Sequence, residues 1–330
     1  MKTIRWGVLG AAKFARDHMA PAIHAAEGAE LVALATSDPA KAAGFIAFCP
    51  GLRVHDSYDA LLADPAVDVV YIPLPNHLHV DWTLKAVAAG KHVLCEKPIA
   101  MTATEIDRLI AARDDSGLLV AEAFMIVHHP QWLRAREWLE AGEIGTLRHV
   151  DAVFSYNNDS DPGNIRNRPE TGGGSLPDIG VYTFGSVRFV TGAEPEAVQA
   201  RIRRENGVEV FAQVWATMAG SDRRFTFGSM TSMRLFNRQE VVFQGDRGLI
   251  RVGSAPFNAN VHDSAEVELH RPGQRVVTDR FPIANQYKLQ VEAFGRSLRE
   301  GSPYPCPLEF AQGTQRMIDR VHQVALDIPA

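Results

Sequence analysis

Apolar and polar positions alternate in two different rhythms along this chain, and the change falls near its middle. In the first part, short continuous apolar runs are separated by stretches of helical period. Ile4 to Leu9, Glu30 to Thr36, Val67 to Ile72, His92 to Cys95 and Leu118 to Ala123 read as buried strands. Between them the helix signals recur. Pro21 opens a second helical piece as a first-turn residue, and Asp38-Pro39 and Ser57 start further helices. Asn76 is expected to cap the helix that runs to Ala89, and Thr102 with Glu105 has the spacing of a capping box. Near-continuous apolar strands alternating with helices predict a parallel sheet covered on both faces, doubly wound by right-handed crossovers. This first domain is expected over residues 1–123.

From Pro130, a helix to about Glu140 stops at Gly142, and the period then becomes two. Leu147 to Tyr156 reads as a long strand. Val198 to Arg204 and Val208 to Met218 form a hairpin across Asn206-Gly207. Val208, Val210, Ala212, Val214, Ala216 and Met218 line one face of it, with Phe211 and Trp215 on the other. Further strands are expected at 223–229, 240–244, 248–252, 265–270 and 276–281. Helices at about 178–190 and 286–299 should cover one face, and a last helix spans about 308–325. Residues 124–330 therefore read as an α+β domain with an open, largely antiparallel sheet. Two aromatics on its other face point to a partner subunit, a homodimer or higher homo-oligomer.

The 330 residues are 46% hydrophobic and 22% charged, which suits a soluble chain of two domains. A net charge of -5 with both signs interspersed gives no footprint for nucleic acid. No signal-peptide core or membrane-length apolar run is present, so a cytoplasmic location is expected. Cys49, Cys95 and Cys306 are too few and too scattered for a disulfide framework or a zinc site.

Candidate chemistry gathers at the ends of strands. The first strand runs into Gly10-Ala11-Ala12-Lys13-Phe14-Ala15, a variant of the glycine-rich turn that brings backbone N–H groups to a pyrophosphate at a helix start. Ala12 stands where a second glycine is usual. At the end of the second strand Thr36 is not acidic, and Thr36, Ser37 and Lys41 suit a 2′-phosphate, which favours NADP over NAD. Pro73-Leu74-Pro75-Asn76 closes the next strand. His77 and His79 lie two apart on a helix start, pointing to different sides, so they read as cofactor-side residues and not as metal ligands. Cys95-Glu96-Lys97-Pro98 aims a lysine from the carboxyl edge of the sheet, where ligands bind; a surface lysine in a tight loop is the alternative. Gly172-Gly173-Gly174 precedes Asp178 and Tyr182, four apart on one helix face. A helix cap and a packing residue are the first reading of the pair taken alone, and an acid/base pair is the other. His128-His129 and the Asn/Asp-rich stretches 157–161 and 164–168 offer hydrogen bonds to a polyol, or form a solvated loop.

In this order, these motifs resemble the Gfo/Idh/MocA oxidoreductase family. They are the Gly10-Ala11-Ala12 turn, Pro73-Leu74-Pro75-Asn76-His77, Glu96-Lys97-Pro98, Gly173-Gly174 with Asp178-Ile179-Gly180-Val181-Tyr182, and the helix from Asn285 to Phe294. The resemblance implies a Rossmann domain and an open-sheet domain, with the active site in the cleft between them. It also implies Lys97, Asp178 and Tyr182 as catalytic residues, with Gly10, Ala11, Ala12, Lys13, Phe14, Thr36, Ser37, Lys41, Leu74, Asn76, His79, Glu96, Lys97 and Tyr287 around the cofactor. Tyrosine at 182 and the Ala123-Phe124-Met125 stretch are similar to the branch with NADP-dependent xylose dehydrogenase, dimeric dihydrodiol dehydrogenase and glucose–fructose oxidoreductase. The activity so implied is hydride transfer between NAD(P) and a sugar, polyol or related cyclic alcohol or ketone. A sugar hydrolase or isomerase that retains its cofactor, and a non-catalytic sugar or dinucleotide sensor, are the alternatives.

Overall fold

The computed structural model describes residues 3–261 and 264–329. It divides into two compact units, one from Met1–Met125 with Asn285–Gln312 and one from Ile126–Ala284 with Gly313–Ala330.

In the first unit, strands β1 (Ile4–Leu9), β2 (Ala29–Ala35), β3 (Arg53–His55), β4 (Val69–Ile72), β5 (His92–Glu96) and β6 (Val120–Ala123) form one parallel sheet. Their order is β3-β2-β1-β4-β5-β6, that of a doubly wound dinucleotide-binding sheet. Helices α1 (Ala20–Ala25), α2 (Pro39–Ile46), α3 (Tyr58–Leu62), α4 (His79–Ala88) and α5 (Ala103–Ser116) connect them. The capping signals work as their chemistry requires. Asp38 accepts from the Ala40 N–H, Ser57 from that of Ala60, and Thr102 and Glu105 form the full box at α5. Asn76 differs from expectation. It lies in a single 3-10 turn, and α4 starts at His79 with no side-chain cap.

In the second unit, β7 (Leu147–Asn157), β8 (Glu194–Glu205), β9 (Val208–Ala219), β10 (Arg224–Ser232), β11 (Arg234–Gly245), β12 (Leu249–Gly253), β13 (Glu266–Arg271) and β14 (Arg275–Arg280) build a nine-stranded sheet with the short β15 (Ala325–Asp327). It is mostly antiparallel, but β10 runs parallel to β7 and β15 parallel to β8. The β8–β9 turn has φ of 50° at Asn206 and 81° at Gly207, the pair of positive values that a two-residue hairpin of native twist needs. All six alternate positions of β9 from Val208 to Met218 are buried, whereas Trp215 is 52% exposed and Phe211 half-buried. Helices α6 (Pro130–Glu140) and α7 (Val181–Thr191) belong to this unit. Phe184 of α7 meets Phe227 of β10 edge-on, 6.1 Å between centroids.

The last helices are α8 (Gln286–Glu300) and α9 (Leu308–Val324). Helix α8, expected over the second sheet, belongs instead to the first unit, so a single boundary at residue 123 does not describe the packing. Its amphipathic face explains this. Phe294 packs on Trp6 at 5.3 Å, and Glu292 accepts from the Glu27 N–H at 3.1 Å. No helix among the described residues is long and apolar enough to cross a membrane.

His129 caps α6, its Nδ1 accepting from the Gln131 N–H at 3.2 Å. Only a neutral ring can do this, and burial pushes the imidazole down to about 4. The unfolded chain therefore binds the proton first, and stability is lost as pH falls from about 6.5 towards 4. Between pH 7 and 5 this group should remove about 2 kcal/mol. In His129→Asn, which keeps a cap, urea unfolding at the two pH values should show a correspondingly smaller loss. An unchanged loss would contradict the assignment.

Candidate active site

The predicted site residues divide between the two units, and each set has its own geometry. In the first, Gly10 has φ +119°, and a Cβ there would meet Leu74 Cδ2 at 2.9 Å and the Tyr58 hydroxyl at 3.4 Å. Only glycine makes this bend beside Leu74. The chain enters a helix at once, with the Arg16 N–H donating to the Ala12 carbonyl at 3.0 Å. The N–H groups just before Arg16 belong to the opening turn, which has no earlier carbonyls to bond. Ala11 and Ala12 are half-exposed, and Lys13 is exposed and paired with Asp17 at 2.5 Å. A tight turn that presents first-turn donors is the cradle that a pyrophosphate requires, so these residues fit a dinucleotide. Phe14 stacks edge-on against Tyr287, 5.6 Å between centroids, and Asn285 fixes the start of α8 by accepting from the Tyr287 and Lys288 N–H groups.

At the end of β2 the Thr36 hydroxyl is buried and spent locally, accepting from the Asp38 N–H at 3.1 Å. Ser37 and Lys41 remain exposed. The structure adds a residue that sequence order hides: Arg16, from the first helix, lays its stem against Gly44 of α2 and pairs with Asp17 at 2.7 Å.

The segment that carries Lys97 is anchored residue by residue. The Lys97 N–H donates to Glu96 Oε2 at 3.3 Å, and the Ile99 N–H donates to the buried Glu122 at 2.9 Å. Between them the Pro98 carbonyl lies 2.7 Å from His79 Nδ1, whose other ring nitrogen is 2.7 Å from the Leu74 carbonyl. The Lys97-Pro98 bond is cis. His79, expected beside the cofactor, uses its ring inside the protein. It is fully buried, and both nitrogens face main-chain carbonyls. A neutral ring has one N–H for the two. Burial favours that form and pushes the imidazole down to about 4, while both carbonyls pull the other way. Glu96 also accepts from the Tyr71 hydroxyl at 2.7 Å, and burial followed by the Glu96 charge raises that phenol well above its ordinary value.

In the second unit, the glycine run leads into a wide π-type turn, Leu176–Gly180, that continues as α7. Asp178 lies in the turn, and its Oδ2 is held twice. The Tyr156 hydroxyl donates to it at 2.6 Å, and Arg166 Nε lies 2.9 Å away. Tyr156, at the end of β7, is pushed far up by burial and then by the Asp178 charge, so it stays protonated and donates. Arg166 is held charged by Asp178 first, and the Tyr156 and Tyr182 phenols act on it in the same direction. Tyr182 is 6% exposed and packs among Phe154 and Phe257, at 5.9 and 5.5 Å. The arrangement brings two phenols, a carboxylate and a guanidinium within electrostatic reach of one another, a set able to hold and move a proton.

Other expected contacts are used within the fold. Asn167 accepts from Arg234 and donates to the Asn158 and Asp161 carbonyls, and Asn164 caps the turn 165–167. Asn157 accepts from the Asp159 N–H, and His129 is the helix cap described above. The Asn/Asp-rich stretch is therefore mainly a self-bonded loop, from which Arg166 reaches Asp178. Sequence reasoning missed Tyr156, Glu122 and Arg16 because their partners are distant or on another element. Arg166 appeared only as one of several polar residues. Among the described residues no group of three His, Cys, Asp or Glu side chains could hold a metal.

The chain is similar to known proteins over nearly its whole length. Residues 4–124 match the model described as the oxidoreductase family with NAD-binding Rossmann fold, and residues 132–251 match the GFO/IDH/MocA C-terminal domain. The chain is 39% identical to the uncharacterized oxidoreductase ORF334 of Rhizobium meliloti, over 98% of both chains. It is 34% identical to D-xylose 1-dehydrogenase (NADP(+)) 2 of Haloferax volcanii, over 97% of both. The crystal structure of a 3-ketoreductase from Actinomadura kijaniata with NADP and TDP-benzene is similar at TM-score 0.88 and 31% identity, over 99% of both chains. The chain belongs to the GFO/IDH/MocA oxidoreductase family. It is an NAD(P)-dependent oxidoreductase.

Removing the Tyr156 hydroxyl leaves Asp178 one donor short. A buried hydrogen bond to a charged group contributes about 2 kcal/mol. Tyr156→Phe should lower the unfolding free energy in urea at pH 7 by about that amount, and wild-type stability would contradict the bond.

Proposed function

We propose that this enzyme moves a hydride between NADP and a carbinol or carbonyl carbon of a sugar, with Tyr182 as the proton-transferring group. The observation that carries the reading is the charge set around Asp178. A tyrosine at its ordinary pKa of about 10 is a poor base near neutrality. A cation nearby stabilises the phenolate, and Arg166 is such a cation, held in place by Asp178. Asp178 in this reading anchors and orients. Lys97, aimed by the bonds at Glu96, His79 and Glu122, holds the substrate oxygen. In the reductive direction Tyr182 gives the proton, and in the oxidative direction it takes it.

When bound, the nicotinamide supplies hydride chemistry that no side chain here offers. The turn Gly10-Ala11-Ala12 with Lys13 and Phe14 would hold the dinucleotide. Exposed Ser37 and Lys41, with no carboxylate at Thr36, favour the 2′-phosphate of NADP. The relatives support this choice and the substrate class: one is named as an NADP-dependent D-xylose dehydrogenase, and another is a 3-ketoreductase crystallised with NADP.

The direct test is absorbance in the reduced-nicotinamide band, with NADP and NAD, against free aldoses, inositols and nucleotide-linked keto sugars. Turnover is expected with one sugar class and more strongly with NADP. Tyr182→Phe and Lys97→Met should each lower kcat by at least about a hundredfold. Cofactor affinity, read from nicotinamide fluorescence, should stay within about threefold. Wild-type turnover in Tyr182→Phe would remove the tyrosine from the mechanism.

A further inference from the structure

Glu209 is a carboxylate that the mechanism above does not use, and it is almost completely buried. It lies on β9, 3% exposed, one residue beyond the start of the strand after the Asn206-Gly207 turn. Its Oε1 accepts from the Leu176 N–H at 2.8 Å. The bond crosses 33 residues of sequence and joins the β8–β9 hairpin to the turn that bears Asp178.

A second contact supports the first. Gly174 has φ +136°, and a Cβ there would run into both carboxylate oxygens of Glu209. The Cα of Gly174 thus sits directly on the carboxylate. The Gly174 carbonyl in turn accepts from the Asp178 N–H at 3.2 Å. Next to it, Ser175 and Thr231 of β10 share a hydroxyl–hydroxyl bond at 2.9 Å. One side chain therefore fixes the residue whose carbonyl bonds the Asp178 amide, and also the amide two residues before Asp178. The same hairpin end carries Val208 and Val210, against which Tyr156 packs with Met233. Both the seat of Asp178 and its phenol donor rest on this hairpin.

We propose that Glu209 is the positioning residue for Asp178, holding the glycine turn so that the Asp178 carboxylate meets Tyr156 and Arg166. The inference rests on the functional reading of Asp178 given above. A carboxylate also suits the opening of a helical run, whose N–H groups point at it. Burial pushes the Glu209 carboxyl up to about 7, with the Leu176 N–H and then Arg204 of the paired strand opposing that rise. The bond to Leu176 does not depend on the charge, since a neutral oxygen also accepts.

The test uses three variants of the full chain, each first checked for a cooperative thermal melt. Glu209→Gln keeps an acceptor oxygen. Glu209→Leu removes it and leaves the Leu176 N–H buried and unpaired. Gly174→Ala pushes on the carboxylate from the other side. Amide hydrogen exchange over residues 174–182 is read by mass spectrometry, together with kcat and KM. In the leucine and alanine variants exchange there should quicken by about tenfold or more. Their kcat should fall by a similar factor while cofactor KM stays within about twofold. Glu209→Gln should stay within about threefold of wild type on all readouts. If Glu209→Leu does not fold, Gly174→Ala and Glu209→Gln decide in the same terms. Wild-type exchange over 174–182 in a folded leucine or alanine variant would overturn the proposal. So would an unrescued loss in Glu209→Gln. If the exchange shifts as expected but the wild-type protein turns over no sugar with either nicotinamide, the seating of the turn stands and the functional reading fails.

Discussion

A carboxylate out of contact with bulk water must be met by donors, or it takes up a proton. On Asp178 the Tyr156 hydroxyl and the Arg166 guanidinium both meet Oδ2. Three separate elements of the second unit bring these side chains together. Tyr156 comes from the last turn-ward residues of a long strand. Arg166 comes from a loop bonded to itself, and Asp178 from a wide helical turn. The chemical consequence is that Tyr156 stays protonated, pushed far up by burial and then by the Asp178 charge. Arg166 then carries a positive charge that acts on the Tyr182 phenol. In the proposed reading this charge, and not a proton on Asp178, is what acts on Tyr182.

The first unit solves a related problem on the backbone. Lys97 follows a strand end, where main-chain groups lose their ladder partners and must find others. Consecutive residues are caught by side chains: Lys97 by Glu96, Pro98 by His79 and Ile99 by Glu122. Each catcher is acidic or aromatic and comes from a different position in the sheet or its covering helix. A loop held at three successive residues has little freedom, which suits the role proposed for Lys97.

Much of this fold can be read from residue pattern because its elements are locally consistent. The six alternate apolar positions of β9 are all buried, and Thr102 with Glu105 forms the box its spacing announces. Elements without such a signal were not legible. Strands β3 and β15 have three residues each, too short to show a period. The docking of α8 depends on Trp6, some 280 residues away, and its own amphipathic pattern does not say which sheet it covers. The site divides in the same way. Lys97, Asp178 and Tyr182 stand in motifs, so they were visible. Tyr156 sits 22 residues from Asp178, and Glu209 33 residues from Leu176. No local rule connects them, because buried polar groups are paired by the fold and not by spacing. His79 stands in a motif that suggests the cofactor, and its buried ring meets two main-chain carbonyls that no spacing rule announces.

In the proposed reaction, hydride passes directly between nicotinamide and a sugar carbon, with the protein's own side chains handling the proton. The most direct measurement is to supply NADPH with both C4 hydrogens of the nicotinamide replaced by deuterium, together with the keto sugar that supports turnover, and to follow the label by NMR. Direct transfer predicts deuterium on the new carbinol carbon in step with NADPH oxidised, and none released to water. Label appearing in solvent, or a carbinol carbon that carries only solvent hydrogen, would contradict it.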